Sequence, residues 1–205
     1  MYMRKKLRNV LEWVGWILMI LLIYIGISSS LRKIPPDLDS YNPGFYQYPI
    51  LTLLHAVPGL LFMILGPLQF IPQLRSKYIA IHRWMGRLFM VSAVLIGISG
   101  FLIVFVFPFA GVSEQLAILF YGTIFMYSVI KSFYSIKQGE VKQHREWIIR
   151  VYSIGLGISV IRILIALFMT MSSYKQIEIF ALTFWMGFGI TWMVGEFWIR
   201  FTRVA

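Results

Sequence analysis

Cysteine is missing from this chain of 205 residues. Disulfides, iron–sulfur clusters, thiolate metal sites and cysteine nucleophiles go with it. Acid is scarce, with eight Asp and Glu, and there are three His. No Ser–His–Asp set, no pair of carboxylates within the membrane and no metal motif can be assembled from so few groups. Charge of either sign is thin, at 13% of residues, against about 25% in an average soluble domain. Linkers and low-complexity stretches are absent too, so one domain over residues 1–205 is enough. What remains is apolar: 59% of residues are hydrophobic and 17% aromatic. A soluble fold of this size could not hide that much apolar surface. The composition predicts an all-α, polytopic membrane protein, and it excludes secreted enzymes, cytosolic Rossmann proteins and DNA-binding domains.

Six apolar stretches are long enough to cross a bilayer, which takes about 20 residues of helix. They are expected near Leu11–Leu31, Ile50–Phe70, Leu88–Phe107, Gln115–Ile136, Ile148–Met171 and Ile179–Ile199. Short connections make neighbouring spans antiparallel, with spans two to five expected as a core four-helix bundle. Pro35, Pro36, Pro72, Pro108 and Gly139 fall just after spans, where breakers belong. The first span follows Arg4, Lys5, Lys6 and Arg8 but is too long for a signal-peptide core, and no A-x-A site follows, so it reads as an uncleaved anchor. Fifteen basic residues fall on one side of this layout, three (Arg32, Lys33 and Lys175) on the other, and Arg162 inside a span. By the positive-inside rule both termini are cytoplasmic in a cell-membrane protein. The net charge of +11 is then a topology signal and a contact for anionic headgroups, with the lipid bilayer and not nucleic acid as partner. Trp13, Trp16, Trp84, Trp147 and Trp198 form an aromatic belt. Ala93 with Gly97, and Ser153 with Gly157, have the spacing of close helix packing.

Two groups of residues could carry chemistry. On the inner side, His82 opens H-R-W-M-G-R and His144 opens H-R-E-W-I-I-R. Each places a His at a helix mouth, an Arg beside it and a second Arg one or two turns on. Two facing His can clamp one haem b iron, with Arg83, Arg87, Arg145 and Arg150 on the propionates. Ordinary positive-inside decoration explains the same residues. Glu196 is expected to pair with Arg87, Arg150 or Arg200. On the outer side, His55, Tyr121 and Arg162 lie at depths that agree within about 6 Å at 1.5 Å per residue. They would converge on one pocket for a small polar or anionic group, such as a quinone head or an organic acid. The alternative is a polar staple in which they satisfy one another. Pro58 is expected to kink the second span and free the carbonyl of Leu54.

The stretch from His55 to Phe105, with Pro58 and Gly59 after the first His and with His82 early in the third span, resembles the cytochrome b561 family of transmembrane dihaem proteins. That resemblance puts His144 at the fifth-helix ligand position. The fourth-helix ligand has no counterpart, since Gln115–Gly122 holds Tyr121 but no His. It implies at most one bis-His haem, electron transfer in the membrane, and a quinone or small redox carrier as partner. G-P-L-Q-F (Gly66–Phe70) and the two His motifs resemble an uncharacterised bacterial membrane family, the domain of unknown function numbered 2306. That likeness covers most of the chain and brings no established activity. Two other functions stay open: a non-catalytic membrane factor with a membrane-protein partner, for example in respiratory-complex assembly, and a small transporter.

Overall fold

Apolar side chains at every angle around a helix suit a chain that packs on one face and meets lipid on the other, and the backbone follows from that. In lipid each N–H and C=O must be satisfied within its own segment, so the helix is the element available to a chain of separate spans. The computed structural model describes residues 2–32, 43–171 and 175–204, and all the regular structure among them is helical. The elements are α1 (Tyr2–Leu31), α2 (Gly44–Gln47), α3 (Pro49–Leu68), α4 (Pro72–Lys77), α5 (Ile79–Val106), α6 (Val112–Lys137), α7 (Val141–Met171) and α8 (Gln176–Val204). Six of these, all but α2 and α4, are long and apolar enough to cross a membrane. They match the six expected spans. Lys33, Pro35 and Pro36 lie outside the described residues, as do the side chains of Arg4, Lys5, Lys6 and Arg8.

Helix ends differ from the expected ones in an informative way. The third and fifth spans start earlier, at Ile79 and Val141. Each adds about two turns of polar and basic sequence, which carry His82 and His144 inside regular helix rather than before it. The short helices α2 and α4 were not expected. Pro72 opens α4 and Pro49 opens α3, at positions where the missing N–H costs nothing. Pro58 and Pro67 lie within α3, which continues as one helix through both. The α6–α7 turn is made by Gly139 at φ 78°, a left-handed conformation that other residues adopt with difficulty.

Spans two to five (α3, α5, α6 and α7) supply the central cluster. Phe62, Phe89, Phe125 and Tyr152 meet ring to ring there, with Phe62 and Phe89 stacked at 4.7 Å and 19°. The sixth span is more central than expected. α8 packs along α7 and builds a second cluster in which Phe180 and Phe184 meet Ala117, Ile161 and Ile165. Small residues make these approaches possible: the Phe188 ring lies against Gly157, and Ser153 lies against Gly195. α1 closes the bundle against α3 and α7, where Ser159 donates to the Leu22 carbonyl at 2.6 Å. Buried hydroxyls bond back to their own helices, as Ser128 does to Ile124 and Thr191 to Gly187, so little polarity is left facing lipid. Gly15 on α1 sits beside Trp198 on α8, which brings the two ends of the chain to the same end of the bundle. Arg75, Arg83, Lys137 and Arg145 share it. It is called the basic end below.

Candidate functional site

In the half of the bundle away from the basic end, the six spans do not fill the space between them. They enclose a cavity of about 230 Å³, walled by residues of the six spans and by Phe45 of α2. Its lining is mostly aromatic and aliphatic, and glycines such as Gly59, Gly100 and Gly122 keep the walls apart. His55, Tyr121 and Arg162 all line it, so the structure brings the three expected outer residues to one space. Glu114, in the first turn of α6, joins them.

The donors and acceptors of these groups can be assigned from their bonds. Ser99 Oγ lies 2.6 Å from the Leu95 carbonyl, which takes its hydrogen. The 2.9 Å bond between Ser99 Oγ and His55 is therefore donated by His55 Nδ1–H. In the neutral ring Nε2 then holds the lone pair. Tyr121 donates its hydroxyl hydrogen to the Trp185 carbonyl at 3.4 Å. Glu114 is buried, and its Oε2 accepts the amides of Phe109 and Ala110 at 3.0 and 2.6 Å. Gly111, at φ 79°, turns the chain back so that both amides reach that oxygen. Arg162, on α7, brings a guanidinium of five N–H donors and no acceptor to the same cavity.

At the basic end, His82 and His144 each occupy the fourth residue of their helices and are half-buried. They are electrostatic neighbours, and Arg75 and Arg83 also act on His82. The Ser132 carbonyl accepts from His144 Nδ1–H at 2.9 Å. That leaves Nε2 with the lone pair, the orientation in which a ligating imidazole is usually held. His82 Nδ1 is buried without a hydrogen-bond partner. The donor chemistry thus fits a metal-bearing group such as haem. The room below it is narrow: Phe89, seven residues further along α5, already stacks on Phe62 and meets Tyr152. Of the four arginines expected near haem, Arg83 and Arg87 are exposed and Arg145 donates to Thr202 Oγ1 at 3.3 Å. Arg150 is committed to Glu196 in a bidentate pair, at 2.5 and 3.0 Å, with its guanidinium 4.4 Å from the Trp147 ring centre. That pair was among those expected for Glu196, and it takes Arg150 away from the propionate role. No group of three or more His, Asp and Glu able to hold a metal ion occurs among the described residues.

The DUF2306 family, described as predicted membrane proteins, matches residues 52–199. The chain belongs to this family. No curated protein and no solved structure matches it. The matched stretch of this DUF2306 protein holds both sites, lacking only the parts of the cavity wall from α1 and α2. Sequence reading missed Glu114, Ser99 and Ser132. For Glu114 a signal existed: an acid three residues after a glycine, at the mouth of an apolar helix. The two serines carry no such mark, since only the packing of α5 and α6 against their neighbours brings them to a histidine.

Proposed function

We propose that this DUF2306 protein binds a small membrane-soluble molecule in the cavity, with a polar ring head among His55, Glu114, Tyr121 and Arg162. One observation carries the reading: a charged and hydrogen-bonding set sits inside an aromatic-walled space closed by all six spans. Charged residues inside a membrane bundle are costly and normally serve a pathway, a ligand or a partner. At about 230 Å³ the space is below the roughly 300–1,000 Å³ of a drug-sized pocket. It suits one ring, with any tail left to the lipid. A quinone-class head meets that description; a small organic acid meets the charge of Arg162 but not the aromatic walls. The layout proposed is a cell-membrane protein with the basic end and both termini in the cytoplasm.

The test is titration of the purified full chain, in nanodiscs, with a short-chain benzoquinone and its reduced form. Saturable binding of either form is expected, and Gly100→Leu should abolish it. A Cβ on Gly100 would meet only His55 Cε1, at 3.7 Å, so the longer side chain enters the cavity without striking the backbone. Absence of saturable binding by both forms overturns the reading, as does equal binding by Gly100→Leu.

A second reading rests on His144, whose ring is held by Ser132 with Nε2 as the lone-pair nitrogen beside His82. In it His82 and His144 hold one haem b, which when bound would supply one-electron transfer to or from a carrier. His144 orients its ring through Ser132, and Arg75 and Arg83 add positive charge beside His82. A reduced-minus-oxidised haem spectrum, lost in His82→Ala and in His144→Ala, is the expected result. A colourless protein from haem-replete cells overturns it and leaves the cavity reading standing.

A further inference from the structure

At the basic end, cations from three elements converge. Arg75 lies in the last turn of α4, which packs on α5. Its charge acts on His82 of α5 and on Arg145 of α7, so it lies within electrostatic reach of both helices. Every charge that acts on His82 is basic: Arg75, His144 and Arg83. The guanidiniums of Arg75 and Arg83 make no hydrogen bond or ion pair among the described residues. Arg145 is half-buried and makes one such bond, to Thr202 Oγ1, whose own hydrogen goes to the Trp198 carbonyl at 2.9 Å. A guanidinium has five N–H donors, so Arg145 keeps several for another acceptor. The acids at this end are committed elsewhere. Glu196 holds Arg150. Glu146 acts on Arg145, but its carboxylate is bonded to Arg203. Glu12 and Glu140 are not among the charges acting on His82 or Arg145.

We propose that Arg75, Arg83 and Arg145 form a site for one phosphate group, at the depth where lipid headgroups carry theirs. The site lies at the opposite end of the bundle from the cavity and needs no haem, so it goes beyond both readings above. The positive-inside bias asks for basic residues on one side of the membrane. It does not ask them to converge from α4, α5 and α7. Like charges gathered in one place repel, and an anion between them offsets that repulsion. The start of α5 adds to the positive field, since its first turn has no acidic residue and its N-terminus no side-chain cap. Phosphate fits the number and direction of the donors better than a carboxylate does. A carboxylate is filled by a single guanidinium in a bidentate pair, as Glu196 is by Arg150. A phosphate has further oxygens in a tetrahedral array, so it accepts donors arriving from three helices at once. The depth points to lipid. Trp84 and Trp147 lie two residues beyond His82 and Arg145, and Trp is enriched at the headgroup level of a bilayer.

The experiment is calorimetric titration of the purified full chain, in a non-ionic detergent at fixed ionic strength, with dihexanoylphosphatidic acid, with inorganic phosphate and with dihexanoylphosphatidylcholine. Saturable binding of the phosphatidic acid is expected. Arg75→Gln and Arg145→Gln should each weaken it by about tenfold, the scale of one charge-assisted bond to a guanidinium. Lys137→Gln removes the same charge from the same end, at an exposed residue that does not act on His82 or Arg145, and should leave affinity unchanged. Should Arg145→Gln fail to fold for want of the Thr202 bond, Arg83→Gln takes its place, because the Arg83 guanidinium bonds to nothing that the fold depends on. Tighter binding of the phosphatidic acid than of inorganic phosphate supports the site and assigns its phosphate to the bilayer. Binding of inorganic phosphate at least as tight, with the same losses in the variants, supports the site and assigns its phosphate to the aqueous side. Saturable binding of neither overturns the proposal. Equal binding of dihexanoylphosphatidylcholine overturns it too, because the acyl tails would then carry the affinity. A loss in Lys137→Gln as large as in Arg75→Gln also overturns it, since the attraction would then be diffuse, as does unchanged affinity in Arg75→Gln.

Discussion

Replacing Glu196 by Ala strips Arg150 of its partner at the point where α7 and α8 are clamped together, and the cost can be worked from the pair's surroundings. The carboxylate receives two N–H bonds, at 2.5 and 3.0 Å, from Nε and Nη2 of Arg150. The two side chains are 15% and 28% exposed. An exposed ion pair is worth about 0–1 kcal/mol, and breaking a fully buried one by removing a single partner costs about 3–5 kcal/mol. At this intermediate exposure the loss should be about 2 kcal/mol. With roughly 2–4 °C per kcal/mol for a chain of this size, Tm should fall by about 4–8 °C. Most of that penalty comes from the cation left behind, since Trp147, with its ring centre 4.4 Å from the guanidinium, cannot replace a carboxylate. The double variant Arg150→Leu with Glu196→Leu should therefore recover most of the stability. The assay is thermal unfolding of the purified full chain in one detergent, followed by near-ultraviolet circular dichroism. Losses in Arg150→Leu alone and Glu196→Leu alone that simply add in the double would refute the reasoning, because the pair would then not be coupled.

Three further outcomes are expected. Phe62→Ala removes a ring that is 2% exposed and touches Phe89, Phe125 and Tyr152, so thermal unfolding should register about 3–5 kcal/mol of destabilisation; a loss below about 1 kcal/mol would mean that the cluster collapses freely into the hole. Gly139→Ala meets no heavy atom within 4 Å, so its cost of about 1–2 kcal/mol should come from the left-handed backbone alone, and Gly139→Asn should recover part of it in the same assay. A reporter active only in the cytoplasm, fused after Ala205 or placed in the Gly139 turn, should be active at both positions; activity at neither would invert the proposed orientation.

How much of the molecule the sequence carries depends on the range of the physics involved. Bilayer crossing is a property of a single segment about 20 residues long, so the six spans and their breakers were legible residue by residue. Helix ends were less so, because polar turns such as those holding His82 and His144 stay helical once a neighbouring helix supports them. Antiparallel alternation and 1.5 Å per residue fix depth along the bundle normal. That is why His55, Tyr121 and Arg162 could be placed at one level from sequence alone.

Depth gives no information about direction around the helix axis, and there the tertiary structure decided. Ser132 reaches His144 and Ser99 reaches His55 because α6 and α5 present those faces to their neighbours. Packing likewise gave Arg150 to Glu196, and drew α8 into the core, where Phe180 and Phe184 meet Ala117, Ile161 and Ile165. Glu114 entered the cavity wall through a glycine turn that hands two amides to its carboxylate. The sequence by itself determined which segments cross, at what depth each polar group lies, and that the fold is helical, because lipid forces each segment to satisfy its own backbone. Only the packed bundle determined which of those groups meet, since side-chain encounters between helices depend on rotation and on gaps left by glycine, and neither is encoded within one helix.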